Sequence, residues 1–366
     1  MIGQKGVPAT YGGIERHVHE LAGRLAERGV RVDAHCRSHY TPVDAVLPGV
    51  RLVRLPALNT KHLDAVSHTT LASMHALFSR ADIVHYHALG PSTLAWIPRL
   101  AGKKIVVTVH GLDWRREKWN RAASWALRRG EWTAAHLPHA TIVVSRTLLK
   151  HFRVAAGERA HYIPNGTPIP PPAPEDGARA RGLEPGRYVL FVGRLVPEKG
   201  LHLLLDAHRS HIPDWTLAVA GDAHFTDSYA RSCRESAHDG VRFLGGVYGS
   251  ELESVWAHAA LVVIPSALEG LSIALLEAMS HGRAVLGSDI PENTEVLKGA
   301  GETFRSGDAE HLGARLSELL QKPDHLAQLG ALARERIREE YDWERVADQT
   351  LEIYRSVTGG AGEVSA

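Results

Sequence analysis

Short apolar runs alternate with longer amphipathic stretches along the chain, and this alternation is the first structural signal. In the amphipathic stretches apolar residues recur every three or four positions, which predicts helices such as residues 14–28 and 65–78. The apolar runs predict buried strands, which in the first half cover residues 30–36, 50–55, 83–87, 104–109 and 140–144. Because alternating strands and helices favour a parallel sheet with helices on both faces, the predicted fold class is α/β.

The same alternation begins again in the second half, after a proline-rich stretch. The predicted strands there cover residues 188–192, 215–219, 241–247, 261–264 and 284–289. Prolines crowd residues 168–174, a composition typical of an interdomain linker. A chain of 366 residues is also long enough for two domains, since domains commonly have ~100–200 residues.

The sequence therefore predicts two domains joined by a linker. The predicted parts are an N-terminal domain over residues 1–167, a linker over 168–185, a C-terminal domain over 186–340, a closing helix over 341–358 and a disordered tail over 359–366. Met1, Ile2 and Gly3 are too few for the first strand that the pattern calls for. We expect either a stunted strand or a protein that starts upstream of this sequence.

Composition and charge narrow the class of protein. The formal net charge of +1 gives no global reason to expect a nucleic-acid partner. Cys36 and Cys233 are the only cysteines and do not have metal-ligand spacing, which favours a reduced, cytoplasmic environment. The chain has no secretory signal and no apolar run long enough to span a bilayer. We expect a cytoplasmic protein that is soluble or peripheral at the inner face of a membrane.

The stretch after the strand at 261–264 carries two carboxylates around a predicted helix start. Ser272 can cap a helix that ends at His281 and Gly282, with Glu269 on the preceding loop and Glu277 further along the helix. A strand, a tight loop and a helix N-terminus together form an anion site. Carboxylates accept hydrogen bonds from sugar and ribose hydroxyls. The alternative is that Glu269 is an ordinary loop residue and Glu277 a solvated helix position.

A second strand–helix junction has glycines at both ends and two cations between them. Gly193, Arg194, Lys199 and Gly200 follow the strand at 188–192, and this arrangement suits a diphosphate, since arginine offers a planar fork and lysine a point charge. The spacing is not that of a P-loop. A surface loop is the alternative for the two cations.

Further glycines follow the neighbouring strands. Gly221 ends the strand at 215–219, and Gly245, Gly246 and Val247 end the strand at 241–247, where a flat base can approach the backbone.

The first half has its own candidates at strand ends. Gly12 and Gly13 let the backbone approach a phosphate or sugar just before a helix N-terminus. His87 and His110 sit where parallel strands end, which is where ligands bind in such sheets. A structural role is the alternative for each histidine, although His110 gains weight from the His-Gly-Leu-Asp loop that it begins.

Residues 114–132 interleave tryptophans with basic side chains. The tryptophans are Trp114, Trp119, Trp125 and Trp132, and the cations are Arg115, Arg116, Lys118, Arg121, Arg128 and Arg129. Such a segment can lie on an anionic membrane surface as an amphipathic helix. The alternative, which the sequence slightly favours, is a surface helix whose tryptophans pack into their own domain.

Several motifs for metal and nucleophile chemistry are absent from the sequence. There is no Asp-x-Asp that would hold a metal–diphosphate, no His-Glu-x-x-His, no Gly-x-Ser-x-Gly and no G-x-G-x-x-G after a strand. We therefore expect no metal ligands and no cofactor.

Taken in order, the motifs resemble those of glycosyltransferase family 4, a retaining family with the GT-B architecture. The matching residues are Gly12-Gly13, His110-Gly111-Leu112-Asp113, Pro164-Asn165-Gly166, Gly193-Arg194 with Lys199-Gly200, Glu269-Gly270-Leu271-Ser272 with Glu277, and Ser288-Asp289. The resemblance implies two Rossmann-like, doubly wound domains that face each other across a cleft, with the C-terminal helix crossing back to the N-terminal domain. The opening glycine loop and the Trp/Arg segment resemble the bacterial branch that builds surface polysaccharides.

The resemblance also implies roles for individual residues. The implied catalytic residues are Glu269, His110, Arg194 and Lys199; the implied nucleotide-sugar-binding residues are Gly12, Gly13, Gly193, Arg194, Lys199, Gly221, Val247, Glu269, Gly270, Leu271, Ser272, Ile273 and Glu277. The cations would hold the diphosphate, Glu277 the ribose and Glu269 the donor sugar, while His110 would contact the sugar near its 6-position. The donor would be a nucleotide-diphosphate sugar, with UDP or GDP favoured, and the reaction would need no metal.

The acceptor expected from the resemblance is a saccharide, a lipid-linked saccharide or a small molecule. Residues 114–132 favour a lipid-linked acceptor and peripheral membrane contact. Three alternatives stay open at this point: a nucleotide-sugar epimerase, a phosphorylase, and a catalytically silent sugar-nucleotide-binding protein. The phosphorylase would need a lysine that carries pyridoxal phosphate, for which no sequence context stands out.

Overall fold

A computed structural model describes residues 1–9, 12–60, 63–115, 121–222 and 227–359 of the chain. The predicted disordered tail, apart from Gly359, lies outside these described residues. The chain divides into two compact units. Unit 1 comprises Met1–Gly166 and Trp343–Ala366, and unit 2 comprises Thr167–Asp342.

Unit 1 contains two parallel sheets, formed largely by the apolar runs of the first half. Its strands are β1 (Val32–Arg37), β2 (Val50–Leu55), β3 (Ile83–His87), β4 (Lys104–Val109), β5 (Ala140–Val143) and β6 (Ala160–Tyr162). Strands β3 to β6 pair in that order, and β1 pairs with β2. The strands β4 and β5 are almost entirely buried, as expected for parallel strands with helices on both faces.

The first residues of the chain fill the place between β1 and β3. The backbone N–H of Ile2 donates to the carbonyl of His85 at 2.9 Å, and the N–H of His87 donates to the carbonyl of Ile2 at 2.8 Å. On the other side, the N–H of His35 donates to the carbonyl of Met1 at 3.1 Å. These hydrogen bonds place the backbone of Met1 and Ile2 in the position that a short first strand would occupy.

The helices of unit 1 cover its sheets. They are α1 (Gly13–Glu27), α2 (Asp64–Phe78), α3 (Leu89–Ser92), α4 (Trp96–Leu100), α5 (Arg121–His136), α6 (Arg146–Ala156) and, from the end of the chain, α15 (Trp343–Thr358). The return of α15 to unit 1 confirms the predicted crossing back of the C-terminal helix. Trp343, Leu351 and Tyr354 join Leu21 and Leu25 of α1 in one buried cluster.

Unit 2 repeats the architecture with a longer sheet. Its described strands are β7 (Tyr188–Val192), β8 (Thr216–Ala220), β9 (Val241–Gly245), β10 (Leu261–Ile264), β11 (Val285–Ser288) and β12 (Glu302–Phe304). They pair in parallel in the order β12-β11-β10-β7-β8-β9. This doubly wound parallel sheet agrees with the predicted α/β fold class.

The helices of unit 2 are α7 (Asp176–Ala180), α8 (Leu201–His211), α9 (Asp227–Glu235), α10 (Gly249–Ala257), α11 (Ile273–Ser280), α12 (Pro291–Leu297), α13 (Ala309–Leu320) and α14 (Pro323–Glu340). Five of these described helices, α8 to α12, lie between its strands in the chain, while α7 precedes the first strand and α13 and α14 follow the last. Leu204 and Leu205 of α8 pack with Leu312 and Leu316 of α13 in the main core cluster.

The proline-rich stretch at 168–185 lies in unit 2 rather than between the units. Its residues include α7, which packs on α10, and Ala178 and Leu183 are buried. The backbone N–H of Ala178 donates to Ser254 Oγ at 2.9 Å, and that hydroxyl donates to the carbonyl of Pro174 at 2.6 Å. These contacts hold the stretch against the domain that it precedes in the chain.

Candidate active site

The strand order of unit 2 marks a place for a ligand. From β7 the chain proceeds to β8 and β9 on one side, and it then crosses to β10 on the other side of β7. In doubly wound sheets ligands bind at this switch point, outside the carboxyl ends of the two strands. The two loops that leave β7 and β10 are the ones that carry Lys199 and Glu269.

These two loops are joined by direct contacts. Lys199 Nζ donates to Glu269 Oε1 at 2.5 Å, and the backbone N–H of Ala267 donates to the carbonyl of Glu198 at 2.9 Å. Gly200 adopts a φ of +70°, and a Cβ there would lie 2.1 Å from the carbonyl oxygen of Pro265. The close approach of the two loops therefore requires glycine at this position.

The Lys199–Glu269 ion pair is largely shielded from water. The Lys199 side chain is 19% exposed and that of Glu269 is 9% exposed. Charges in such a place stay ionised only when they are paired or hydrogen-bonded. A diphosphate at the switch point would offer Lys199 a second anionic partner, and lysine has further N–H donors to give it.

Helix α11 begins at the edge of the same loop, as predicted. Ser272 Oγ accepts a hydrogen bond from the backbone N–H of Leu275 at 3.4 Å, so Ser272 is the N-cap, and the helix ends at Ser280. Gly270, Leu271 and Ser272 are buried. The positive end of the helix dipole therefore lies beside the ion pair, where it favours an anion.

Glu277 is a half-buried residue of α11, and its backbone carbonyl accepts from the N–H of His281 at 3.1 Å. Ile273 is the first residue of the helix. The predicted roles of both residues in donor binding stay predictions.

Glycines at the carboxyl ends of β7, β8 and β9 meet at one edge of the sheet. The N–H of Gly193 donates to the carbonyl of Ala220 at 3.0 Å, and the N–H of Gly221 donates to that of Gly245 at 2.8 Å. Gly221 has a φ of +143°, and a Cβ there would lie 1.9 Å from the carbonyl oxygen of Gly193. Beside them, Arg194 is exposed and Val247 is buried. The structure thus gathers the predicted residues of unit 2 around the ends of adjacent strands.

In unit 1 the predicted residue His110 belongs to a histidine cluster. Its ring centroid lies 4.7 Å from that of His17 and 5.7 Å from that of His87. His87 Nδ1 and His110 Nε2 are 3.4 Å apart. His17 is a residue of α1 that the sequence reasoning missed. Its signal was a polar residue on the apolar face of the helix, beside Val18 and Leu21.

The protonation state of this cluster follows from its burial. Burial lowers the pKa of His17 to about 4, and it holds the pKa values of His87 and His110 well below their ordinary value. The rings are therefore neutral at pH 7. His17 Nδ1 donates to Asn165 Oδ1 at 2.9 Å, since a carbonyl oxygen only accepts. The Nε2 atoms of His17 and His87 are buried without a hydrogen-bond partner among the described residues.

Neutral imidazoles are metal ligands as well as hydrogen-bonding groups. One ring nitrogen of each of His17, His87 and His110 lies within 4.8 Å of the others, so this trio is the place in the described chain where a metal ion fits best by ligand type. The nitrogens equally suit the hydroxyls of a sugar. The expectation that the reaction needs no metal stays a prediction.

The glycine pair at the start of α1 lies beside the side chain of Glu15. Gly12 has a φ of +98°, and a Cβ there would lie 2.1 Å from Glu15 Oε2. Glu15 Oε1 in turn accepts a hydrogen bond from the backbone N–H of Lys5 at 3.0 Å. Gly13 is the first residue of α1, while Thr10 and Tyr11 before it lie outside the described residues.

The Trp/Arg segment only partly packs into its own domain. Trp114 Nε1 donates to Glu131 Oε2 at 2.6 Å, with the guanidinium of Arg128 4.4 Å from its ring centroid. In contrast, Trp125 is 61% exposed and Trp132 is 54% exposed. Own-domain packing is therefore right for Trp114 and wrong for these two residues. Residues 116–120 and the side chain of Arg121 lie outside the described part.

Family models match both halves of the chain. A model described as "Glycosyltransferase Family 4" matches residues 11–169, and one described as "Glycosyl transferases group 1" matches residues 186–322. The alpha-maltose-1-phosphate synthase of Mycobacterium tuberculosis is 30% identical over 394 residues, covering 96% of this chain and 97% of that protein. The chain belongs to glycosyltransferase family 4.

Other relatives agree with this assignment. The phosphatidyl-myo-inositol mannosyltransferase of M. tuberculosis is 27% identical, covering 96% of this chain and 95% of its own. Such relatives show that the chain is a glycosyltransferase, an enzyme of the hexosyltransferase type, rather than an epimerase or a catalytically silent protein.

Solved structures confirm the GT-B fold of this glycosyltransferase. Sucrose-phosphate synthase from Thermosynechococcus elongatus matches with a TM-score of 0.85 at 22% identity, covering 98% of each chain. The Anabaena protein HepE in complex with UDP-glucose matches with a TM-score of 0.78 at 20% identity, covering 97% of this chain and 98% of that one. Among the described residues of the glycosyltransferase, no helix is long and apolar enough to cross a membrane.

Proposed function

We propose that this glycosyltransferase moves a sugar from a nucleotide-diphosphate sugar to an acceptor hydroxyl, with retention of configuration and without a metal. The observation that carries the proposal is the Lys199–Glu269 ion pair at the switch point of unit 2. It places a cation for the diphosphate and a carboxylate for the sugar hydroxyls side by side, next to a helix N-terminus.

In this proposal four side chains of unit 2 and the start of α11 bind the donor. Arg194 and Lys199 bind the diphosphate and stabilise the charge that develops on it as the glycosidic bond breaks. Glu269 accepts hydrogen bonds from hydroxyls of the donor sugar. The backbone N–H groups of residues 270–273 lie at the start of α11, where an anion is favoured, and Glu277 accepts from the ribose.

The proposed glycosyl transfer proceeds without a covalent enzyme intermediate. The bond from the anomeric carbon to the phosphate oxygen breaks, and a bond from that carbon to the acceptor oxygen forms on the same face. The acceptor proton passes to the departing phosphate oxygen. Positive charge from the two cations and the helix dipole stabilises the leaving group in this scheme, which is the reason that we expect no metal requirement.

The nucleotide and the acceptor are proposed from a solved relative of the same fold and from the surface of α5. HepE, whose structure was solved with UDP-glucose, shares the fold, and we favour a UDP- or GDP-sugar. For the acceptor we favour a lipid-linked saccharide, because Trp125, Trp132 and Arg129 form an exposed aromatic and basic face on α5 that suits an anionic membrane. The second candidate is a small soluble acceptor, since relatives are named for the synthesis of maltose-1-phosphate.

The donor is identified by thermal-shift screening of UDP-, GDP-, ADP- and dTDP-sugars, followed by product mass spectrometry with a cell lipid extract and with sugar phosphates. NMR of the product reports the anomeric configuration, and an inverted linkage would overturn retention. Turnover that is unchanged by chelators and by added Mg²⁺ supports metal independence, whereas turnover that is lost with chelator and restored by Mg²⁺ contradicts it. Incubation of the donor alone tests for epimerised product, which we do not expect.

A matched pair of variants tests the site itself. Lys199→Met removes the diphosphate-binding cation, and Lys322→Met removes a lysine that makes a comparable ion pair with Glu318 at 2.7 Å on an exposed surface of the same unit. We expect Lys199→Met to lower kcat/KM by at least about a hundredfold, as for loss of one charge-stabilising donor. Lys322→Met should leave it within twofold of wild type. Equal effects of the two would move the donor site elsewhere.

A further inference from the structure

One helix of unit 1 presents an apolar face to solvent. On α2 and at its N-cap, Leu63 is 51% exposed, Val66 59%, Leu71 40%, Met74 49% and Phe78 83%. Their spacing places them on one side of the helix, along its full length. We call these five residues the α2 face. Single exposed apolar residues are ordinary on a protein surface, but a continuous stripe of this length indicates a binding surface.

The α2 face carries no charge that would keep it in water. The only residue of α2 that is charged at neutral pH is Asp64, and its carboxylate is paired with Arg37 at 2.5 Å. The two histidines of the helix point the other way: His68 is fully buried, and His75 accepts or donates a hydrogen bond with His35 at 3.0 Å. Solvated helix faces in water-soluble proteins normally carry charged side chains.

A second helix extends the apolar surface at one edge of the sheet. Helix α4 packs against α2 and exposes Trp96 by 47% and Leu100 by 79%. Because α2 leads into β3 and α4 leads into β4, and these strands are parallel neighbours, both helices end at the same edge of the sheet. Lys103 Nζ, which donates to the carbonyl of Ser79 at 2.7 Å, ties the two helix ends together.

This edge is also basic. Arg80 and Arg99 are exposed at the ends of the two helices, where Arg99 also donates to the carbonyl of Leu137 at 2.7 Å, and the partly buried Lys103 and the exposed Asp82 follow the two helices in the chain. An apolar stripe with cations at its border has the chemistry of a surface that inserts into the interface of an anionic bilayer, where apolar side chains enter the acyl region and cations meet the lipid phosphates. A protein partner would more often be matched by a mixed polar rim around the apolar centre.

We propose that the α2 face, with the end of α4, docks this enzyme on an anionic phospholipid bilayer. This docking proposal rests on the proposed function in one respect: the lipid-linked acceptor gives the enzyme a reason to dock. Binding to the bilayer itself needs neither donor nor acceptor. The α2 face belongs to a different helix from the Trp/Arg face of α5, although the end of α4 meets the end of α5 where Arg99 donates to the carbonyl of Leu137 at 2.7 Å. Insertion of the apolar side chains supplies affinity for any fluid bilayer, and Arg80 and Arg99 add a preference for anionic lipid that salt weakens.

The test is flotation of the full-length enzyme with vesicles of phosphatidylcholine, with and without phosphatidylglycerol, at low and at high salt. We expect the wild type to float with the anionic vesicles. The triple variant L71S/M74S/F78S should lower the bound fraction at least about fivefold under all conditions, since it removes the inserting side chains. The double variant R80Q/R99Q should lower it only at low salt and only with the anionic vesicles.

Matched controls test whether flotation depends on the α2 face rather than on any exposed apolar residue or on α5. Val154→Ser and Leu332→Ser remove apolar side chains that are 90% and 55% exposed elsewhere, and they should float like the wild type. Wild type that does not float, or a triple variant that floats equally well, overturns the proposal. So does a loss of flotation in W125A/W132A alone, which would assign docking to α5. Light scattering that shows a dimer abolished by the triple variant would assign the face to a second copy instead.

Activity separates failure of docking from failure of the proposed function. Release of nucleoside diphosphate from the donor, measured with a soluble acceptor or water, should be equal in the triple variant and the wild type. An enzyme that turns over donor but never binds vesicles refutes docking and leaves the glycosyl transfer intact. Vesicle binding without any turnover of nucleotide sugars would refute the proposed glycosyl transfer and leave docking intact.

Discussion

Exchange of Glu269 for glutamine is predicted to strengthen the binding of a free nucleoside diphosphate while slowing turnover. In the ligand-free enzyme the charge of Lys199 is compensated by Glu269 at 2.5 Å, with both side chains mostly shielded from water. At the proposed donor site, a diphosphate would therefore compete with an internal carboxylate for the same ammonium group. Glu269→Gln keeps the shape and an accepting oxygen but removes the competing charge.

The structure sets the size of the effect. At 2.5 Å and an effective dielectric constant of about 20, the Coulomb attraction is about 6–7 kcal/mol, most of which is offset by the desolvation of both ions. Exposed pairs are worth up to about 1 kcal/mol, and loss of one partner from a fully buried pair costs about 3–5 kcal/mol. This pair lies between those cases, so we expect Glu269→Gln to cost about 1–3 kcal/mol of stability. At about 2–4 °C per kcal/mol for a domain of this size, the apparent Tm should fall by about 2–12 °C.

The assay combines calorimetry with steady-state kinetics. We expect Glu269→Gln to bind the nucleoside diphosphate several-fold more tightly, and kcat to fall at least about a hundredfold because the donor sugar loses its orienting carboxylate. Glu318→Gln, which breaks the exposed pair with Lys322, is the control and should change neither quantity. A variant that binds the diphosphate more weakly, with kcat near that of wild type, would refute the competition between Glu269 and the diphosphate.

Three further predictions follow from the packing and the buried histidines. Burial lowers the pKa of His17 to about 4 and that of His35 to about 3, whereas both histidines have a pKa of about 6.5 in the unfolded chain. Because protons therefore bind preferentially to the unfolded state, the free energy of unfolding should fall as the pH drops from 6.5 toward 4. The expected slope is about 1.4 kcal/mol per pH unit for each histidine. An apparent Tm that stays flat down to pH 5 would contradict this. Trp343→Ala should destabilise unit 1 by about 3–5 kcal/mol, since the side chain is 1% exposed, and urea unfolding should show it as a lower midpoint, with the 47%-exposed Trp96→Ala as control. Gly221→Ala should lower the basal Tm and weaken donor binding in the thermal-shift screen, because Gly221 has a φ of +143° and a Cβ there would lie 1.9 Å from the backbone carbonyl oxygen of Gly193; a variant with the Tm and the donor response of the wild type would contradict this packing.

Local signals in the sequence were enough for the longer elements of the fold but missed the three-residue strands β6 and β12. Apolar runs such as 188–192 and 261–264 coincide with β7 and β10, because a strand buried on both faces has to be apolar throughout. The start of α11 was readable from Ser272, whose hydroxyl can satisfy an N–H of the first turn, and its end from His281 and Gly282. The interpretation of 168–185 depended on composition alone, which does not reveal that Ala178 and Leu183 have a surface to pack on.

The sequence by itself determined the fold class, the family and the motifs that carry the proposed chemistry, because these depend on residue type and on spacing along the chain. Only the tertiary structure decided which motifs meet. Lys199 and Glu269 are separated by 70 residues, and they pair because β10 lies beside β7 in the sheet. His17 joins His110 because α1 packs beside β1 and its His17 ring reaches the rings of His87, which ends β3, and of His110, which follows β4. The exposure of Trp125 and of the α2 face could not be predicted from the sequence either. The same amphipathic pattern occurs in helices whose apolar side is covered and in helices whose apolar side is exposed.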